Sequence, residues 1–226
     1  MRSSLQLRQL RRLTDWLWRP ILCLLLIVVL PATCCALEIR SMQTCLGVVL
    51  RLRGDIKEGD YSRLKKRFKG KEAIVGIDLS SGGGDLDEGL RIADLVRRKT
   101  LIIYVAEECS SACADVFFAA AKRYFGADSK IGVHAVSNDR DIEDVATKLL
   151  TIKLARLWAG RGVPNSAIGK MVTTLPEAIT YLDRADLSGL DASEGNPFAY
   201  KAGKLSATGQ AQEQSCATQL HAGSGK

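Results

Sequence analysis

Histidine is scarce in this chain: two in 226 residues, His134 and His221. That argues against a His-rich metal centre. Long apolar runs are equally scarce. One stretch alone, Ile21 to Leu30, could enter a bilayer, which excludes a polytopic transporter. A chain-wide excess of one charge is also missing. The formal net charge is +7, but residues 1–36 hold five Arg and one Asp, or +4, and the other 27 basic and 24 acidic residues leave only +3. The basic balance is therefore a property of the N-terminus, and no nucleic-acid partner is expected. No Walker lysine follows the glycine loop at Gly82–Gly84, and the cysteines show no zinc spacing. Neither a metal nor a cofactor is called for.

What is present suffices for one ordinary globular domain: 46% apolar and 25% charged residues, too apolar for a disordered chain. Arg2, Arg8, Arg11, Arg12 and Arg19 precede the apolar run, and small residues end at Ala36. This is the pattern of a secretory signal cleaved before Leu37. The alternative is an uncleaved anchor that attaches the chain to a membrane through residues 16–36, with Trp16 and Trp18 at the interface. Either way the rest of the chain is expected outside the cytoplasm, in a periplasm or extracellular. Four cysteines remain after the signal: Cys45, Cys109, Cys113 and Cys216. In an oxidising compartment an even count suggests two disulfides of open connectivity.

From residue 37 to 202 the pattern alternates strand and helix. Strands are expected at Gly47–Ile56, Ala73–Ser81, Leu101–Ala106 and Lys130–Val136. Helices are expected at Tyr61–Gly70, Asp85–Arg98, Cys113–Arg123 and Asp141–Gly160, with a helix start and a turn over Pro176–Asp191. Repeated strand–helix units imply an α/β fold with a core parallel sheet. Residues 203–226 are rich in Ala, Gly, Ser, Gln and Thr and read as a loose tail.

Two segments carry chemistry. The junction Ser80-Ser81-Gly82-Gly83-Gly84 leaves backbone N–H groups bare between a strand and a helix, a place for an anion or an oxyanion. Asp87 occupies the position where a dinucleotide loop wants glycine, and its charge would repel a pyrophosphate. The second segment is CSSACADVFFAAAKR. Ser110 and Ser111 stand where a strand passes into a buried helix, a position for either an N-cap or a nucleophile. His134 ends the next strand, on the same carboxyl side of a parallel sheet, where such sheets place ligands.

SSGGGDLDEGLRIAD, CSSACADVFFAAAKRYFGADSKIGVH and LPEAITYLDRADL resemble, in order, the site-bearing blocks of the Clp protease proteolytic subunit and, more broadly, of the ClpP/crotonase superfamily. The likeness is strongest to exported ClpP-like proteins with a Cys-x-Ser-Ala-Cys block. It spans about Gly47 to Leu190 and implies a spiral of ββα units, homo-oligomers and a serine peptidase acting on peptides or proteins. Ser111 then matches the nucleophile, His134 the general base, and the N–H groups of Gly84 and Ala112 the oxyanion hole. Ser110 is the fallback nucleophile.

The departure is the third triad member: Lys170 stands where the family has aspartate. Asp139, Asp141 and Asp183 are unranked substitutes. A triad that loses its acid can lose about 10⁴-fold in rate, so a catalytically impaired binding or assembly protein is the rival reading. Related membrane enzymes use a Ser-Lys dyad, for which Lys153 or Lys148 is the candidate, although both also suit a solvated helix face. Crotonase-like acyl-CoA chemistry fits export poorly. Cys109 and Cys113 flank Ser111 and could bond to each other or to Cys45 and Cys216.

Overall fold

A computed structural model describes residues 37–198 except 139 and 141. The signal or anchor expected over residues 1–36 and the tail over 203–226, Cys216 and His221 included, lie outside the described residues.

The chain runs β1 (Glu38–Gln43), β2 (Val48–Arg53), α1 (Asp60–Arg67), β3 (Ile74–Ser81), α2 (Leu86–Arg98), β4 (Ile102–Ser110), α3 (Ala112–Phe118), β5 (Lys122–Phe125), β6 (Lys130–Val133), α4 (Val145–Ala159), α5 (Asn165–Thr173), β7 (Thr180–Tyr181), α6 (Arg184–Gly189) and β8 (Ala192–Glu194). Eight strands form one sheet in the order β1-β2-β3-β4-β5-β8, with β6 on β4 and β7 on β6. The pairs β2–β3, β3–β4, β4–β5, β4–β6 and β5–β8 are parallel; β1–β2 and β6–β7 are antiparallel. This is the mixed α/β architecture with a parallel core that the alternating pattern implied.

The interior strands are buried because their sequence is apolar along both faces. Leu50, Leu52, Ile77, Leu79, Ile103 and Val105 are all at most 1% exposed. The one buried acid of these strands is paired. Asp78 accepts from Arg51 Nε at 2.9 Å and from Arg53 Nη2 at 2.8 Å, which explains the alternating arginines of β2. Charge left unpaired at that depth would cost several kcal/mol (~3–5).

Strand β4 positions the site. Its first half, Ile102–Val105, pairs with β5; its second half, Glu108–Ser110, leaves β5 and pairs with β6. The register with β3 shifts between Leu79 and Ser81. The strand therefore continues to the serine pair, well past the apolar stretch ending at Ala106. Charged Glu107 and Glu108 conceal this extension in the sequence.

The expected helix Cys113–Arg123 is corrected. It ends at Phe118, and Lys122–Phe125 is a strand. Alanine favours helix, but here Arg123 overrides it. Its guanidinium donates to the terminal carbonyls of α3, Phe117 O at 3.2 Å and Phe118 O at 2.6 Å, and to Leu190 O at 2.8 Å. Ala121 N donates to Leu101 O at 3.1 Å, so the Ala119–Ala121 run is a turn into the sheet. Helix α5 and edge strand β1 were not expected. The first carries Gly169 inside it, and the second is mostly exposed, so neither shows strong periodicity.

Candidate active site

The carboxyl ends of parallel strands β3, β4 and β6 lie side by side, and each feeds one part of a cleft of about 530 Å³. Gly84 follows β3, Ser111 follows β4, and His134 follows β6. All three line the cleft, together with Ala112.

Ser111 is the turn residue between β4 and α3. Its φ is +57° and its ψ −129°, an unusual conformation for a residue with a side chain. Such strain costs about 1–3 kcal/mol and persists only where the surroundings impose it. Three contacts do so. Ser111 N donates to Gly132 O at 3.0 Å, and Ala114 N donates to Ser111 O at 2.8 Å. Cys109 and Cys113 are disulfide-bonded across the turn with Cα atoms 5.1 Å apart, both wholly buried. Of the pairings left open by the sequence, the bond between Cys109 and Cys113 is formed. Cys45 is disulfide-bonded as well.

The glycine loop is shaped to meet this turn. A Cβ on Gly83 would lie 2.6 Å from Ser111 Cβ and 2.7 Å from Ser110 O, so only glycine permits the approach. Gly84 has φ +127°, and a Cβ there would strike Ile56 O at 2.1 Å. Ile56 N donates to Gly83 O at 2.7 Å, and Asp85 N to Ile56 O at 2.9 Å. In a trans peptide the C=O and the following N–H point in opposite directions. The Gly84 N–H therefore points away from Ile56. The Ala112 N–H, at the start of α3, has no carbonyl a turn earlier to bond.

His134 is half-buried, and its Nδ1 lies 2.7 Å from Ala135 O. A carbonyl can only accept, so in the neutral ring this contact places the proton on Nδ1 and the lone pair on Nε2. The segment is itself pinned: Ala135 N donates to Thr174 O at 2.9 Å, and Val136 N to Thr151 Oγ1 at 2.9 Å. Ser111 and His134 share the cleft without a hydrogen bond between them.

The alternatives fall elsewhere. Ser110 is wholly buried, with its Oγ donating to Glu108 Oε1 at 2.7 Å. Lys153 and Lys148 are exposed on α4. Lys148 pairs with Glu143 at 3.2 Å, and neither lysine lines the cleft. Lys170 does not face the histidine as an acid would. Its Nζ donates to Asp183 Oδ2 at 2.9 Å and to Asp186 Oδ2, tying α5 to α6. Asp183 is thus engaged by Lys170 and caps α6, accepting from Ala185 N at 2.9 Å and Asp186 N at 3.0 Å. The lysine and those amide hydrogen bonds hold its carboxyl down at about 2. Asp139 and Asp141 lie outside the described residues.

Two participants escaped the sequence reading. One is the Ala135 carbonyl, which has no side-chain signature. The other is Asp115, which lines the cleft although only 4% exposed. Its Oδ1 accepts from Trp158 Nε1 at 2.6 Å. Burial pushes its carboxyl up to about 7, against the lowering effect of the Trp158 hydrogen bond and of nearby Arg161. A lone acid in the apolar run CADVFF was the available signal.

Among solved structures, the fold is similar to ClpP1 from Listeria monocytogenes, at 18% identity and a TM-score of 0.52, over 66% of this chain and 91% of that one. It is similar to a mutant of the same protein at 16% identity and a TM-score of 0.51, with the same coverage. No family model matches the sequence, and neither does any curated protein. Strand order, helix placement and these likenesses together give the chain a ClpP-like fold.

Proposed function

We propose that this chain is an exported serine hydrolase, a peptidase that works by acyl transfer. The observation that carries this reading is Ser111. It is held at positive φ on a strand-to-helix turn, inside the cleft that also receives His134 and two bare amides. Nε2 of His134 takes the Ser111 proton as Oγ attacks a substrate carbonyl. The N–H groups of Gly84 and Ala112 receive the oxyanion, and the imidazolium then protonates the leaving amine. Water repeats the sequence on the acyl-enzyme. Apo geometry often leaves the nucleophile–base bond long until substrate closes it.

The Ala135 carbonyl takes over the acid's orienting work. Much of the ~10⁴-fold loss in acid-to-amide variants of the serine-protease template comes from the wrong imidazole tautomer. A carbonyl holds the right one. What it lacks is the negative charge that steadies the imidazolium, so the rate falls short of a full triad without collapsing.

The cleft's charge favours peptides over acyl-CoA thioesters. Asp85, Asp87 and Asp115 line it, and among the described residues no lysine or arginine does. A ligand carrying several phosphates would be repelled there. Export rests on residues 1–36 and agrees with a buried disulfide at Cys109–Cys113. Val145, Leu149 and Ile152 on α4 are 77%, 53% and 44% exposed, an apolar face suited to a second copy of the chain.

A fluorophosphonate probe tests the reading. It should label the folded chain, fail on Ser111→Ala and label His134→Ala more slowly. Folded protein that resists the probe would support the rival binding role, which the Lys170 replacement and the missing Ser111–His134 hydrogen bond favour. N-terminal sequencing of exported protein should begin at Leu37; a start at Met1 would mean an anchor.

A further inference from the structure

We propose that the inner end of the cleft is a specificity pocket for a lysine or arginine side chain, placed just before the scissile bond, with Asp115 as its counter-ion. This inference rests on the hydrolase reading above and deepens it.

Asp115 stands four residues after Ser111. Along a helix four residues rise about 6 Å, and residues so spaced share a face. The Asp115 backbone therefore lies about one helical turn from that of Ser111, and both residues line the same cleft. One oxygen is committed to Trp158. The other, Oδ2, accepts from no described residue. Yet no buried side-chain oxygen among the described residues lacks a partner. Oδ2 must therefore open onto the cleft that Asp115 lines.

The walls fit the same ligand. Ala114, Phe118, Leu154 and Met171 line the cleft with Asp115 and offer apolar surface to a methylene stem. Arg161, whose charge is felt at Asp115, lies over the Trp158 ring, 5.0 Å from its centroid, and is not part of the lining. Among the described residues the lining thus holds three carboxylates, one imidazole and no fixed positive charge. A neutral apolar side chain would fill the walls but strand Oδ2 away from water. A cationic head pairs with it.

The chain with its disulfide intact should be treated with peptidyl diphenyl phosphonates that differ only in carrying lysine, norleucine or glutamate next to phosphorus. Lysine should inactivate about 30-fold faster than norleucine, as expected for a buried charge pair, and glutamate slowest. Asp115→Asn, which keeps an oxygen for Trp158, should reduce the lysine-to-norleucine ratio to near one. In the unmodified chain that ratio should also shrink between pH 8 and pH 5.5 as the carboxyl protonates. His134 affects both compounds alike and cancels from the ratio. Among the described residues, Asp85 and Asp87 at the start of α2 share the lining, and the charge of Arg161 beyond α4 is felt at Asp115. A fluorophosphonate-reactive chain with no lysine preference overturns this pocket alone, as does a ratio unchanged in Asp115→Asn. A chain inert to every phosphorus probe overturns the hydrolase reading and the pocket together.

Discussion

Removing the disulfide beside Ser111, the proposed nucleophile, separates two contributions that the structure places together. Cys109→Ala/Cys113→Ala deletes a bridge between residues four apart in sequence, both wholly buried. Closing so short a loop restricts the unfolded chain little, and the chain-entropy relation gives about 2 kcal/mol. For a domain of this size that corresponds to a fall of roughly 4–8 °C in Tm. The native-state effect is separate. The bridge spans Ser111, whose backbone is held at φ +57° against a preference of about 1–3 kcal/mol. The Gly132 hydrogen bond and the glycine-loop contact remain in the variant, so the fold survives while the turn gains freedom to relax. Circular dichroism and thermal melts read the first contribution; the rate of fluorophosphonate labelling reads the second. The expected result is a native spectrum, a lower Tm and labelling slowed about tenfold or more, since the strained geometry would no longer be the lowest state. A variant with the lower Tm but an undiminished labelling rate would refute the claim that the bridge shapes the nucleophile.

Gly84→Ala should cut labelling about 100-fold, the scale of losing one oxyanion donor, because its Cβ would meet Ile56 O at 2.1 Å. Gly82→Ala, with nothing within 4 Å, should leave labelling unchanged; equal effects at the two positions would remove Gly84 from the mechanism. For Asp115, the folded carboxyl titrates at about 7 against an ordinary 3.8, so between these values the native state holds more protons than the unfolded one. Stability from this group is therefore complete below about pH 4 and is lost as pH rises through 7. At about 1.4 kcal/mol per unit, the loss is at most about 4 kcal/mol. Urea denaturation at pH 5 and pH 8 should show a fall that Asp115→Asn flattens; parallel slopes in the two proteins would contradict this. Lys170→Asp, which puts an acid where the resembled family carries one, should not speed labelling. It would set a third carboxylate against Asp183 and the buried Asp186, with a stability cost of about 1–3 kcal/mol or more; a stable variant that labels faster would show that the acid's place is still open.

The strands that matter most were legible because their residues obey one rule over several positions. Ala73–Ser81 is a nearly continuous apolar run and is buried from Gly76 to Ser81, and the glycines that follow mark the end of β3. Ser111 and His134 were placed on one side of the sheet by strand direction alone, and parallel pairing of β4 with β3 and β6 brings them to one cleft. Elements were misread where a single long-range contact outweighs local preference. The alanines after Phe118 favour helix, and one guanidinium from Arg123, reaching carbonyls of α3 and Leu190, turns them into the sheet.

The chemistry divides along the same line. A residue type can be read from sequence; a partner distant in the chain cannot. Lys170 was visible as a departure from the resembled triad, but its setting depends on Asp183 and Asp186, which make it a brace between two helices. The tautomer of His134 depends on a main-chain oxygen, and any residue type at position 135 except one that moved the backbone would supply it. Asp115 shows the limit most clearly. In the run CADVFF it is one acid among apolar neighbours, and its hydrogen-bond partner Trp158 lies 43 residues further on. Only their meeting shows that the acid keeps one oxygen for the cleft. If the pocket's selectivity follows that oxygen, substrate choice here is set by a residue that no spacing rule around the nucleophile would single out.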